Sequence, residues 1–130
     1  MIRVDIDLLY LSNDYIWLYE NTPFTGIGYE LENGVLSIEA NYRDGILDGA
    51  TKIYEDDKIT EEEIWLNGVM ISKKEFYFSG SIKLEKIYEF GICVITKYFN
   101  EKGEMTCKEE INEENTSFEL LQTLKKSIQS

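Results

Sequence analysis

Residues Gly49–Gly68 read GATKIYEDDKITEEEIWLNG, and this pattern recurs along the 130-residue chain with a period of 23 residues. One column of turn positions keeps the spacing through the chain: Gly34, Asp57, Gly80 and Gly103. An acidic and an aromatic column follow in the first three units: Glu39, Glu62 and Glu85, then Tyr42, Trp65 and Tyr88. The fourth unit is degenerate, with Lys108 at the acidic position. Such a period predicts a repeat architecture whose units stack on one another.

Each unit is predicted to form a β-hairpin. Asn33-Gly34 favours a two-residue type I′ turn, because both turn positions need positive φ. With this turn we expect Leu31 to face Leu36 and Tyr29 to face Ile38. The same register applied to the next units sets Lys52 opposite Glu61 and Tyr77 opposite Ile82. A second turn in each unit leads to the next hairpin: Asp44-Gly45, Asn67-Gly68 and Phe90-Gly91.

The fold predicted from these hairpins is mainly β, an elongated, twisted antiparallel meander of about seven to nine strands with a C-terminal amphipathic helix. We expect one domain over residues 1–130, with an N-terminal cap (1–24), repeats (25–112) and a helical segment (113–130). The cap includes a predicted strand at Val4–Leu8. The helix is indicated by a capping box at Thr116–Glu119 and an apolar stripe: Phe118, Leu121, Leu124 and Ile128. Core packing is expected near the turns and along the aromatic column.

Composition narrows the classes of function. The formal net charge is −12 and the pI about 4.4, so attraction to nucleic acid phosphate or to an anionic membrane has the wrong sign. The chain contains no histidine, which removes His-based triads and the commonest transition-metal ligand. In a reducing compartment, Cys93 and Cys107 are interpreted as buried thiols. We expect a cytoplasmic protein, because neither a signal peptide nor a membrane-spanning run is evident. We expect it to bind no cofactor and no metal.

Grouped carboxylates are the candidate contact residues for a basic partner: Asp44, Asp48, Asp56, Asp57, Glu61, Glu62 and Glu63. The alternative is a solvated acidic face that keeps the sheet soluble and discourages edge pairing. The acidic column is a different case. A ladder of like charges is unfavourable, so Glu39, Glu62 and Glu85 are expected to form ion pairs or hydrogen bonds with neighbouring strands. Trp65 and the tyrosines are interpreted as core, or alternatively as an aromatic ligand platform.

The unit at Gly49–Gly68 resembles the bacterial variant of the MORN repeat. The entry Pro23-Phe24-Thr25-Gly26 and the opening Met1-Ile2-Arg3-Val4-Asp5 are similar to small immunity or antitoxin proteins encoded beside polymorphic toxins. The resemblance implies a non-catalytic protein that binds and neutralises one cognate toxin domain. That domain is expected to be basic, and a nuclease is one candidate.

Two other functions stay open. One is a non-inhibitory scaffold or membrane-associated interaction module, whose membrane form the negative charge disfavours. The other is a glycosidase-like enzyme, which would need paired carboxylates in a cleft.

Overall fold

The computed structural model describes residues 2–129, so Met1 of the predicted cap and Ser130 of the predicted helical segment lie outside the described residues. In chain order the elements are β1 (Arg3–Asp5), a 3-10 turn (Ile6–Leu8), β2 (Tyr10–Leu11), β3 (Trp17–Tyr19), β4 (Thr22–Pro23), β5 (Gly26–Glu32), β6 (Val35–Arg43), β7 (Ile46–Glu55), β8 (Lys58–Leu66), β9 (Val69–Phe76), β10 (Ile82–Glu89), β11 (Ile92–Phe99), β12 (Met105–Glu110) and α1 (Phe118–Gln129).

The main sheet has nine strands in the order β1-β5-β6-β7-β8-β9-β10-β11-β12. From β5 onward every neighbour is antiparallel and consecutive, which confirms the predicted mainly-β meander with one C-terminal helix. β1 adds to this sheet parallel to β5, and β2, β3 and β4 form a small second sheet. The predicted strand at Val4–Leu8 is only partly right, because the Asp5 side chain accepts a hydrogen bond from the Asp7 backbone and the chain turns there.

Two kinds of turn join the hairpins. The first kind has two residues with positive φ, as at Asn33-Gly34 (54° and 81°) and Asp56-Asp57 (50° and 64°). This pattern holds at the other predicted turns: Asp44-Gly45, Asn67-Gly68 and Phe90-Gly91. The second kind is a longer loop, which joins β9 to β10 and β11 to β12. In the first of these loops the Gly80 N–H donates to the Tyr77 carbonyl at 2.9 Å, and 23 residues later the Gly103 N–H donates to the Asn100 carbonyl at 3.0 Å. Because of this loop the predicted pairing of Tyr77 with Ile82 is wrong, and Phe76 faces Ile82 instead.

A β-bulge follows the first turn of each unit, the one that contains Gly34, Asp57, Gly80 or Gly103, and shifts the register by one residue. Leu31 faces Leu36 as predicted, but Tyr29 faces Glu39 rather than Ile38. In the second unit Lys52 faces Glu62 rather than Glu61. These two predictions are wrong because an extra residue follows the turn, which two-residue hairpin geometry does not include.

The extra residues of the bulges obey the 23-residue period: Ser37, Thr60, Lys83 and Thr106. Three of the four carry a hydroxyl group that donates to a carbonyl of the opposite strand. The distances are 3.2 Å from Ser37 to Glu30, 3.3 Å from Thr60 to Ile53 and 3.4 Å from Thr106 to Tyr98. The bulges are therefore part of the repeat, and they increase the local twist of the sheet.

The shifted register builds an alternating row of charges across one face of the sheet. Each residue of this row lies opposite the next on the neighbouring strand: Glu39, Lys52, Glu62, Lys74, Glu85 and Lys97. Arg3 of β1 forms an ion pair with Glu39 at one end, and Glu85 lies 4.0 Å from Lys74 and 3.9 Å from Lys97 near the other. Glu39 and Glu85 therefore form the expected ion pairs with other strands. Glu62 faces Lys52 and Lys74 in register, but it makes no ion pair within 4.0 Å in the described residues. We call this side of the sheet the ladder face.

The opposite side, called here the cap face, holds the buried core at its N-terminal end. Val4, Leu9 and Phe24 form a buried cluster, and Tyr42 packs against it. Gly28 is required there, because a Cβ atom would lie 2.8 Å from Ile6 and 2.9 Å from Tyr42.

A second buried group lies at the C-terminal end of the sheet. Val94 and Thr96 of β11 and Leu121 of α1 are each less than 9% exposed. Between the two ends Trp65 and Tyr88 are only half-buried. Tyr42 is half-buried as well, but it alone of the three packs against the buried cluster of the cap, so the expected core along the aromatic column is realised only in part.

We predict that Asp57→Gly stabilises the fold by about 0.5–1 kcal/mol, since Asp57 adopts a φ of 64° that glycine adopts without steric cost. Gly34→Asp is the reciprocal variant, because a Cβ atom added at Gly34 would meet nothing within 4 Å and only the backbone effect operates. Urea unfolding measures both. A loss of stability in Asp57→Gly would show that the Asp57 side chain makes a contribution larger than the backbone strain.

A second prediction concerns the row of alternating charges on the ladder face, called the ladder below. Lys74→Glu places a third carboxylate between Glu62 and Glu85 and is expected to destabilise the protein by about 1 kcal/mol at low salt, less at high salt. Lys102→Glu, in the turn before β12, makes the same change in net charge outside the ladder. Equal unfolding midpoints for the two variants in a urea titration would contradict the role given to the ladder.

Candidate partner-binding groove

An open groove of about 670 Å³ lies between the turns of the first two hairpins. The turns Asn33-Gly34 and Asp56-Asp57 emerge at the same end of the sheet, because β6 and β7 are adjacent and antiparallel. Apolar groups from both hairpins line the groove: Val35, Leu36, Ile53 and Tyr54. Carboxylates surround them: Glu32, Glu55, Asp56 and Asp57. The groove therefore combines apolar side chains with an acidic rim, and more of its surface is polar than apolar.

The carboxylates of this rim make no ion pair within residues 2–129. Lys58 of β8 lies directly opposite Glu55 of β7 in the strand pairing. Its ammonium instead donates to the Phe78 carbonyl at 3.2 Å and lies 4.3 Å from the centre of the Phe78 ring. In the described part of the chain, the groove carboxylates therefore have no cation within ion-pair distance.

The structure brings only two of the predicted contact residues, Asp56 and Asp57, into this groove. Glu32 and Glu55 belong to the rim and were not among the residues predicted from the sequence. A signal for them exists, because they lie 23 residues apart, each immediately before a type I′ turn. The third unit has Phe78 at that position and a longer loop, so the acidic pair is confined to the first two units.

Asp44 and Asp48 lie near the turns at the other end of the strands. The Asn67 N–H donates to the Asp48 carboxylate at 2.9 Å, and the Gly68 N–H donates to the Leu47 carbonyl at 2.8 Å. One repeat earlier, the backbone of the equivalent turn makes the same kind of contact with the segment before β5. The Asp44 N–H donates to the Thr25 hydroxyl at 2.8 Å, and the Gly45 N–H donates to the Phe24 carbonyl at 2.7 Å. Asp48 therefore connects the Asn67-Gly68 turn to the preceding unit through a hydrogen bond.

The three consecutive glutamates are divided between the two faces. Glu61 lies on the cap face, 3.0 Å from Lys73, and this hydrogen bond raises the pKa of the Lys73 ammonium. Glu63, on the same face, accepts a hydrogen bond from the Trp65 indole at 3.1 Å. Glu62 belongs to the ladder face. The predicted contact residues consequently lie on separate surfaces rather than on one patch.

The aromatic column does not form a ligand platform of equivalent residues. Tyr42 is packed against Phe24 with ring centres 5.5 Å apart, and burial raises the pKa of its phenol. Tyr88 lies on the open part of the cap face beside Lys73 and Glu63, where partial burial also raises the pKa of its phenol. The three positions therefore have different environments despite their common place in the repeat.

The prediction that both cysteines are buried is wrong, because Cys93 is half-buried and Cys107 on the edge strand β12 is exposed. Residues 2–129 contain no group of three or more His, Cys, Asp or Glu side chains arranged to hold a metal ion. Within the same part of the chain, no helix has both the length and the apolar character required to cross a bilayer.

Comparison with known proteins gives similarity of structure alone. No family model and no curated protein sequence matches the chain. An S. aureus TarM variant, solved in complex with fondaparinux, alpha-GlcNAc-glycerol and UDP, aligns with a TM-score of 0.51 and 11% identity, over 79% of this chain and 19% of that one. A second TarM structure aligns with a TM-score of 0.51 and 15% identity, over 67% of this chain and 18% of that one. The chain thus spans about a fifth of the length of these proteins, and the likeness shows the fold alone.

We predict that Asp48→Ala lowers stability by about 1 kcal/mol, because the Asn67 N–H loses its acceptor. Asp14→Ala is the control, since Asp14 is exposed and its side chain makes no ion pair in the described residues. Thermal unfolding followed by circular dichroism compares them. If Asp48→Ala unfolds at the same temperature as the control, the hydrogen bond between the Asn67 N–H and the Asp48 carboxylate contributes nothing to stability.

Proposed function

We propose that this chain is an immunity or antitoxin protein that neutralises a cognate bacterial toxin domain by stoichiometric binding. The observation that carries the proposal is the groove between the first two hairpins, which is lined both by apolar side chains and by carboxylates that make no ion pair in the described residues. Protein–protein contacts of this kind combine a desolvated apolar centre with a polar rim that sets specificity.

The chemistry of the groove defines the partner expected there. Glu32, Glu55, Asp56 and Asp57 favour a segment that presents Lys or Arg, and Tyr54 and Leu36 favour an apolar side chain beside that cation. A toxin that attacks nucleic acids is basic where it binds phosphate, so the acidic groove would cover such a surface. Charge of opposite sign also accelerates the encounter of the two proteins. Neutralisation of this kind takes place in the cytoplasm in our proposal and needs no catalytic residue, cofactor or metal.

The second candidate function is a scaffold module that joins proteins without inhibiting them. In the TarM structures a sheet of this kind occupies only a small part of a larger chain, a likeness that concerns the fold alone. The two candidate functions differ in their effect on the activity of the bound partner, since only an immunity protein abolishes it.

The experiment is co-expression of this chain with the protein encoded by the neighbouring gene. We expect growth to be restored by the wild-type chain and by Glu101→Lys/Glu104→Lys, which changes the charge in the loop before β12. We expect Glu32→Lys/Glu55→Lys, with the same change in net charge, to lose rescue and to bind the purified toxin at least about tenfold more weakly, mainly through slower association at low salt.

Circular dichroism of both variants checks that the fold is retained, since neither pair of residues makes an ion pair in the described part of the chain. Equal rescue by the two variants would place the interface outside the groove. Binding to the neighbouring protein without any rescue would favour the scaffold function, and neither binding nor rescue would reject the proposal.

A further inference from the structure

The two edges of the main sheet are built differently. At one edge β1 has only three residues, continues into a 3-10 turn and packs Val4 into the buried cluster. At the other edge β12 has six residues, and every one of them is exposed. β12 is hydrogen-bonded to β11 on one side only, and no other strand of the described chain covers its outer side. Its outward backbone N–H and C=O groups are therefore available for pairing with another strand.

The alternation of acidic and basic residues along the row on the ladder face is broken at this edge. Across the sheet, acidic and basic residues alternate up to Glu85 and Lys97, but the next residue in the row is Lys108 of β12. Lys108 stands at the repeat position that Glu39, Glu62 and Glu85 occupy in the other units. Two cations are therefore adjacent at the end of the row, and alternation would resume only if a further strand placed a carboxylate opposite Lys108.

Glu110, two residues along β12 on the same face, is the counter-charge of Lys108 within the described chain. It forms an ion pair with Lys108 at 2.9 Å, and both side chains are largely exposed. A strand antiparallel to β12 with an acidic residue opposite Lys108 and a basic residue opposite Glu110 would match both charges. An open cleft of about 550 Å³ beside Lys108 and Glu110, also lined by Asn112 and Glu114, leaves room for such a strand.

We propose that β12 is a strand-addition site, which is extended by a β-strand of a partner protein carrying an acidic residue opposite Lys108 and a basic residue opposite Glu110. Main-chain hydrogen bonds supply the attachment, and the two charge pairs select the strand. This site lies on the far edge of the sheet from the β5–β6 hairpin, and it does not depend on the function proposed for the groove.

The sequence of β10, Ile82–Glu89, provides a probe with this pattern. A peptide IKLEKIYE, placed antiparallel to β12 with its first glutamate opposite Lys108, sets its first lysine opposite Glu110. A peptide with these two charges exchanged, IELKKIYE, has the same composition and net charge. We expect the first peptide to bind the full chain about fivefold more tightly than the exchanged one, measured by fluorescence anisotropy. Amide hydrogen exchange should slow at Met105–Glu110.

The variant Lys108→Glu/Glu110→Lys keeps the net charge and is expected to reverse the preference between the two peptides. Because both side chains are exposed, this variant should retain the wild-type circular dichroism spectrum. Absence of binding by either peptide, protection confined to other strands, or an unchanged preference in the variant would overturn the inference. Concentration-dependent dimerisation of the chain that the variant abolishes would also overturn it, since a second copy would then occupy the edge.

Discussion

The cross-strand alternation of Glu and Lys on the ladder face is the constraint on which the structure depends. A nine-stranded sheet covered only at its ends cannot bury its side chains between two layers, so its middle strands must be stabilised by contacts within the sheet. The row from Glu39 to Lys97 contributes to these contacts, because each interior residue lies between two residues of opposite charge. Two neighbouring pairs of the row, both involving Glu85, lie within 4.0 Å. Single exposed ion pairs contribute little, but a continuous row adds several such contributions and keeps a broad face hydrated.

The β-bulges make this row possible. Without the extra residue at Thr60, Lys52 would face Glu61 and the charges of the second unit would fall out of line with those of the first. With it, Lys52 faces Glu62 and the row continues. The bulge also brings a hydroxyl group to the opposite carbonyl in three of the four units, so the shift in register is held by a hydrogen bond of its own.

The acidic residues fall into groups with different roles once their partners are known. The ladder glutamates face cations, Asp48 accepts a backbone N–H, and Glu61 binds Lys73. The groove carboxylates have no such partner in the described chain. A net charge of −12 is thus partly neutralised locally and partly displayed at one end of the sheet, where a basic partner would experience it. The groove exists because two successive units share the type I′ turn, whereas the third has a longer loop with Phe78.

The sequence by itself determined the period, the positions of the turns, the order of the hairpins and the need of Glu39, Glu62 and Glu85 for cationic partners. These features are local, since positive φ at Asn33-Gly34 or Asn67-Gly68 depends on the turn residues alone. Only the tertiary structure decided the register beyond the first pair, the cationic partners themselves, the structural use of Asp48 and the meeting of Glu32 with Glu55. A bulge shifts every later pair by one residue, and the meeting of two turns depends on the packing of adjacent hairpins. Both are set by contacts between strands that a single unit of the repeat does not contain.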